Sequence, residues 1–243
     1  MVQKIVNKQK LRIFKILIIM AALVLATVVI FKSYFLWFAT YNGYSSFARF
    51  LILFKADINR KDKFGATPLM VASLEGYNEL VKLLIDAGAN INLQDNLGNS
   101  PLTDALQGNH VDTVKLLISK GADVNASSWI GFSPLMVAIK LNRLDCARLL
   151  IEGGADVNLQ MIEGSTALII AASDGKIDFV KLLLKSQAQI DVKDSNGYTA
   201  LTFAQAFHHP DVVQLLLEHR ANIAYKDIYK FEDFGDEGEG DTE

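Results

Sequence analysis

The chain has 243 residues, 51% apolar and 21% charged, and a formal net charge of -3. Residues 1–32 hold six Lys or Arg and no acid, so residues 33–243 hold 18 basic against 27 acidic side chains, a balance that argues against nucleic acid as a partner because phosphate-backbone binding needs clustered positive charge. The single cysteine, Cys146, can neither close an intramolecular disulfide nor build a thiolate metal site.

Residues 1–15 form a basic segment with Lys4, Lys8, Lys10, Arg12 and Lys15, and an uncharged apolar run extends from Ile16 to Phe31, closed by Lys32. As a helix, those sixteen residues rise only about 24 Å against a hydrocarbon core of about 30 Å. Snorkelling of Lys15 and Lys32, with the flanks Ile13, Phe14, Tyr34, Phe35 and Trp37, lengthens the span. A transmembrane signal-anchor helix is therefore predicted over residues 16–33. Its positive-inside bias places the N-terminus in the cytoplasm and the rest of the chain on the non-cytoplasmic side, the periplasm if the source is bacterial. The alternative is a signal peptide cleaved near Val24 and Ala26, leaving a secreted or periplasmic protein. The apolar stretch continues past Ala26, which favours the uncleaved anchor.

Residues 34–60 hold a degenerate copy of the 33-residue unit that is clear from Asp62 onward. A shift of 33 aligns Gly43-Tyr44 with Gly76-Tyr77, and Phe50 to Asn59 with Leu83 to Asn92. This segment reads as an N-terminal cap whose first helix, near Phe35 to Tyr41, starts only a few residues after the apolar run.

Within the clear units, Gly65, Gly98, Gly131, Gly164 and Gly197 stand 33 residues apart, as do Ala72, Ala105, Ala138, Ala171 and Ala204, and the pairs Leu83-Leu84, Leu116-Leu117, Leu149-Leu150, Leu182-Leu183 and Leu215-Leu216. A fixed period of that length means one supersecondary unit stacked on copies of itself. Thr67-Pro68, Ser100-Pro101 and Ser133-Pro134 are helix starts, a capping hydroxyl before a proline tolerated at the first helical position. Leu69 and Ala72 mark the buried stripe of a short first helix. Gly76, Asn109, Asn142, Gly175 and His208 then occupy a turn position suited to a left-handed backbone. A second helix with the apolar face Leu80, Val81, Leu83 and Leu84 ends at Gly88, with Gly121 and Gly154 as its equivalents.

These residues resemble the ankyrin repeat. The Thr67-Pro68-Leu69 segment, the two-helix unit and the run Gly121 to Asn125 carry the likeness. The implied fold is all-α, an ankyrin-repeat solenoid of helix pairs with hairpin loops, preceded by the N-terminal transmembrane helix. The repeats fall at residues 61–94, 95–127, 128–160, 161–193 and 194–226. The family's usual histidine is replaced by Met70, Thr103, Met136, Ile169 and Thr202, so its hydrogen-bond link within the loop is expected to be missing. Gln187 and Arg220 stand where glycine ends earlier units, and a weaker C-terminal end is expected. Residues 227–243 carry eight acids. Ile228, Tyr229, Phe231 and Phe234 are placed to cover the last unit, and the remainder should be disordered.

Chemistry is sought without result. Cys146 falls in a slot shared with Leu80, Thr113, Phe179 and Val212, which marks it as core. His208 is a turn residue beside His209, while His110 and His219 lie in different units without carboxylates at ligand spacing. Glu79, Asp112, Asp145, Asp178 and Asp211 recur at the start of the second helix, where negative charge suits the dipole. Neither GxxxxGK[ST] nor GxGxxG is present in a strand-to-helix context. No catalytic residue, cofactor, metal or small-molecule substrate is expected.

The resemblance implies binding at hairpin tips and the exposed ends of first helices. On this chain that selects Phe64, Leu97, Trp129, Ile130, Phe132, Ile162 and Tyr198, with the aromatic cluster around Gly131 central, as at interface hot spots. The expected function is a non-catalytic scaffold or adaptor, tethered to a membrane and binding a protein partner through its tips and concave face. The alternatives are an accessory or protective subunit of a periplasmic or membrane enzyme, or a secreted effector after cleavage.

Overall fold

The computed structural model describes the backbone of residues 2–219, and the side chains from Phe14 onward except at positions 25 and 28–30. The expectations for Arg220 and for the acidic tail at 227–243 lie outside the described residues. A long helix α1 (Val2–Tyr41) is followed by α2 (Ser45–Leu53), and five helix pairs succeed them. These are α3 (Pro68–Leu74) with α4 (Asn78–Asp86), α5 (Pro101–Gln107) with α6 (Val111–Ser119), α7 (Pro134–Lys140) with α8 (Leu144–Glu152), α9 (Ala167–Ser173) with α10 (Ile177–Lys185), and α11 (Ala200–Ala206) with α12 (Pro210–Glu218).

Local chemistry sets each boundary. The hydroxyls of Thr67, Ser100, Ser133, Thr166 and Thr199 accept the N–H three residues on, satisfying a donor the helix would leave orphaned. The two units with alanine in place of proline start their helices at the same point, so the hydroxyl is sufficient. The turn position is left-handed as read, with φ of 73° at Gly76, 59° at Asn109, 58° at Asn142 and 57° at His208.

The loop link expected to be missing is remade in three units, the first through Met70 Sδ, which accepts the Thr67 N–H at 3.3 Å. Thr103 Oγ1 accepts the Ser100 N–H at 2.7 Å and donates to the Ser100 carbonyl at 2.8 Å, and Thr202 does the same with Thr199.

The C-terminal part of α1 and then α3, α5, α7, α9 and α11 pack in series, and α2, α4, α6, α8, α10 and α12 form the second row. Ala72, Ala105, Ala138, Ala171 and Ala204 are fully buried where first helices meet. A single methyl group at each lets neighbouring backbones approach closely. Leu84, Leu117, Leu150, Leu183 and Leu216 are fully buried between second helices, and the leucine preceding each is half-buried.

The transmembrane signal-anchor read over residues 16–33 is corrected by the structure: among the described residues no helix is long and apolar enough to cross a membrane. The apolar run is too short by itself, and the aromatic flank needed to lengthen it belongs to the solenoid. Leu36 and Ala39 are fully buried, Phe35 packs on Phe47 with centroids 6.3 Å apart, and Trp37 is half-buried. Lys32, read as a snorkelling anchor, donates through Nζ to the Phe54 carbonyl at 2.9 Å, and Ser33 Oγ accepts the Asp57 N–H at 3.0 Å. With the anchor fall the membrane as a partner, the single-pass topology with repeats on the non-cytoplasmic side, and the tethered form of the adaptor.

Candidate functional site

Hairpins at residues 62–66, 95–99, 128–132, 161–165 and 194–198 project from the stack. Each is closed by one N–H to carbonyl bond across its mouth and a second beneath its glycine, such as Ser128 to Phe132 and Gly131 to Ser128, both 2.9 Å. Three hairpins carry an aspartate that stiffens them. Asp62 Oδ1 accepts the N–H groups of Phe64 and Ala66 at 2.8 Å, and Asp95 and Asp194 repeat the pattern. The third hairpin has Ser128 in that place, with one bond of 3.2 Å to Phe132, and the fourth has Met161.

Neighbouring tips are joined in register. The Asn96 N–H reaches the Phe64 carbonyl at 2.9 Å, Ile162 reaches Ile130 at 3.4 Å, and Ser195 reaches Glu163 at 2.9 Å. The equivalent bond from Trp129 N–H to the Leu97 carbonyl is not formed among the described residues. The bases of these two hairpins stay tied through Gln94 Nε2, which bridges the Gly98 and Ser127 carbonyls at 2.9 and 3.0 Å. Gly98, at φ 84°, lies so close to Ser128 that an added Cβ would fall 2.8 Å from the Ser128 Cα. The same Cβ would fall 2.7 Å from Trp129 Cδ1 and 2.9 Å from Trp129 N, so this junction is as close as its neighbours and differs in the bond its tip lacks.

A cleft of about 370 Å³ lies beside this junction. Leu97, Trp129, Ile130, Phe132 and Val137 form its apolar walls, and Asn96, Asn99, Thr103 and Ser128 its polar rim. Leu97 and Trp129 are 72% and 73% exposed. Four of the seven residues read from the sequence thus meet here. Ile162 is exposed on the next tip, and Phe64 is exposed two tips away from Trp129 with the Lys63 ammonium 4.7 Å over its ring. Tyr198 is half-buried against Phe203, at 6.0 Å between centroids, and Phe132 turns inward to pack on the core.

Asp104 is a feature the sequence reading passed over. It occupies the first-helix slot held by Val71, Val137, Ile170 and Phe203, next in sequence to the cleft's Thr103. Desolvation, with the Asp95 charge second, pushes its carboxyl up to about 8. Its signal was a lone acid in an otherwise apolar 33-residue register.

The remaining reactive side chains serve the stack. Cys146 is fully buried, and desolvation raises its thiol. His209 Nε2 lies 3.0 Å from the Ser173 carbonyl of the preceding unit, and Lys176, one unit earlier in the same slot, donates to the Ile139 carbonyl at 2.7 Å. Among the described residues no group of three or more His, Cys, Asp or Glu is placed to hold a metal ion.

Comparison with curated proteins finds no match. A family model described as ankyrin repeats (3 copies) matches residues 36–128, 96–161 and 135–227. Those matches cover more than half of the sequence, start within the cap helix and run through every repeat, so the chain belongs to the ankyrin repeat family.

Proposed function

We propose that this chain is a non-catalytic protein-binding scaffold whose partner inserts an apolar side chain into the cleft between the tips 95–99 and 128–132. The observation that carries the reading is the unmade bond between these two tips. Large apolar side chains stand exposed where the bond between neighbouring tips is absent, and an exposed aromatic and aliphatic cluster beside a cleft is what an interface anchor requires. Phe64 and Ile162 extend the apolar surface along the row of tips, and Tyr198 marks its far end. The burial of Cys146 and the structural bond of His209 support a role without turnover.

The test is affinity capture from the native source with wild type, Leu97→Ala/Trp129→Ala, and Cys146→Ser as a core control. A partner that fits the cleft is retained by wild type and by the control and lost at least tenfold with the tip variant, whose unfolding midpoint stays unchanged. Equal retention by the tip variant would refute the cleft as the binding site.

A further inference from the structure

A second cleft, of about 610 Å³, lies between the C-terminal part of α1 and the loop at residues 60–63. Tyr34, Trp37 and Phe38 line one side, and Arg60, Lys61 and Lys63 the other. The Arg60 guanidinium sits 4.2 Å from the Tyr34 ring centroid, and Lys61 Nζ donates to the Gln94 carbonyl at 2.7 Å. Asp62, the acid on this wall, has Oδ1 committed to the N–H groups of Phe64 and Ala66. Among the described residues neither Arg60 nor Lys63 lies in an ion pair, and the indole N–H of Trp37 is buried without an acceptor. Unpaired cations beside aromatic faces are complementary to an anionic peptide that carries aromatic side chains.

We infer that this cleft binds the C-terminal segment, residues 227–243, of a second copy of the chain. That segment has eight acids against one lysine, with Tyr229, Phe231 and Phe234 interleaved among Asp227, Glu232, Asp233 and Asp236. Length points to a second copy. The cleft adjoins the first layer of the stack and α12 belongs to the sixth, roughly 45 Å away at about 9 Å per helix layer. The stretch from Glu218 to Phe231 covers that distance only when drawn almost straight, which sacrifices the conformational freedom of every residue in it. A neighbouring molecule meets no such restriction, and the contact is head-to-tail. The site is separate from the cleft at Trp129, so either proposal can fail alone.

The receptor for the test is the full chain carrying Glu232→Lys/Asp233→Lys, so that its own tail does not compete. A fluorescein-labelled peptide of residues 226–243 is titrated against it and followed by anisotropy. Saturable binding is expected, weakened by high salt and at least tenfold by adding Arg60→Glu/Lys63→Glu. A peptide with Phe231→Ser/Phe234→Ser, which leaves the receptor unaltered, is expected to bind equally weakly. In sedimentation velocity wild type self-associates, while the tail variant and a chain carrying only the Arg60→Glu/Lys63→Glu change each stay monomeric but form a 1:1 complex when mixed. The inference is overturned if the peptide binds the Arg60→Glu/Lys63→Glu receptor undiminished while that receptor unfolds at the wild-type midpoint, or if the two monomeric variants fail to pair.

Discussion

Replacing Asp104 by Val is expected to stabilise the fold at neutral pH, because the site was built for an apolar side chain and receives an acid. The carboxyl is raised from 3.8 to about 8, chiefly by desolvation and secondly by Asp95. The folded chain therefore holds this proton more tightly than the unfolded chain does. Its contribution to stability is fully present below about pH 4 and is lost as the pH climbs towards 8. Taken up to pH 7, the difference amounts to about 4 kcal/mol as an upper bound. Relaxation and water access reduce that, and a gain of about 2 kcal/mol for Asp104→Val is the working figure, or roughly 4–8 °C in a domain of this size.

Asp104→Asn separates charge from packing, since it removes the titration while keeping the shape. Thermal unfolding followed by circular dichroism at pH 5, 6, 7 and 8 on the three chains isolates the effect, because every other titrating group cancels in the differences. Both variants should gain on wild type steadily from pH 5 to pH 8. Parallel curves for wild type and Asp104→Asn, or an Asp104→Val chain less stable than wild type at pH 7, would refute the reasoning.

Gln187 holds φ at 64° where earlier units have glycine, so Gln187→Gly should raise stability by about 1 kcal/mol in urea unfolding. Asp174 binds the ammonium groups of Lys140 and Lys176, each at 3.0 Å. Desolvation opposes its charge, but these two lysines outweigh it and hold the carboxyl below the usual carboxylate range. Asp174→Asn should therefore cost about 1 kcal/mol above pH 4 and progressively less as the pH falls through the lowered value, seen in paired melts. Trp129→Ala is expected to change stability by less than about 0.5 kcal/mol and the core-packed Phe132→Ala by about 2 kcal/mol, a contrast that denaturant titration resolves. Ser128→Asp should supply the missing bond to the Ile130 N–H and strengthen the one to the Phe132 N–H, add about 1 kcal/mol, and slow hydrogen exchange in that hairpin.

The repeat was legible because its signals are local. A hydroxyl before the first helix, a left-handed residue after it and a leucine pair in the second each act within a few residues, so even His208 could be placed in its turn. The run through Tyr34, Phe35 and Trp37 was not legible in this way. Aromatic residues serve membrane interfaces and protein cores alike, and only the partners Phe47 and Phe54, distant in sequence, decide between them. The tips were readable as exposed apolar positions, whereas the inward turn of Phe132 and the unmade bond between Trp129 and Leu97 depend on how whole hairpins dock. Asp104 is legible in the 33-residue register as one acid in an apolar column, a signal that no cluster of reactive groups accompanies.

The two hairpins without the bracing aspartate expose Trp129, Ile130 and Ile162, while the braced hairpins at residues 62–66 and 95–99 expose Phe64 and Leu97. An aspartate spends its carboxylate on backbone N–H groups and locks the tip, as at Asp62, Asp95 and Asp194. Ser128 gives one weaker bond and Met161 gives none, so these tips are held by their mouth bonds, the bonds beneath their glycines and the links between neighbouring tips. The third tip also lacks its link to Leu97. A tip with fewer backbone bonds is less stable locally, and under the proposed binding role that lost bonding leaves the surface at Trp129 free to answer to a partner. The regular units on either side hold the base of the junction fixed through Gln94 and Gly98. The cleft can therefore adapt at its rim without disturbing the stack that supports it.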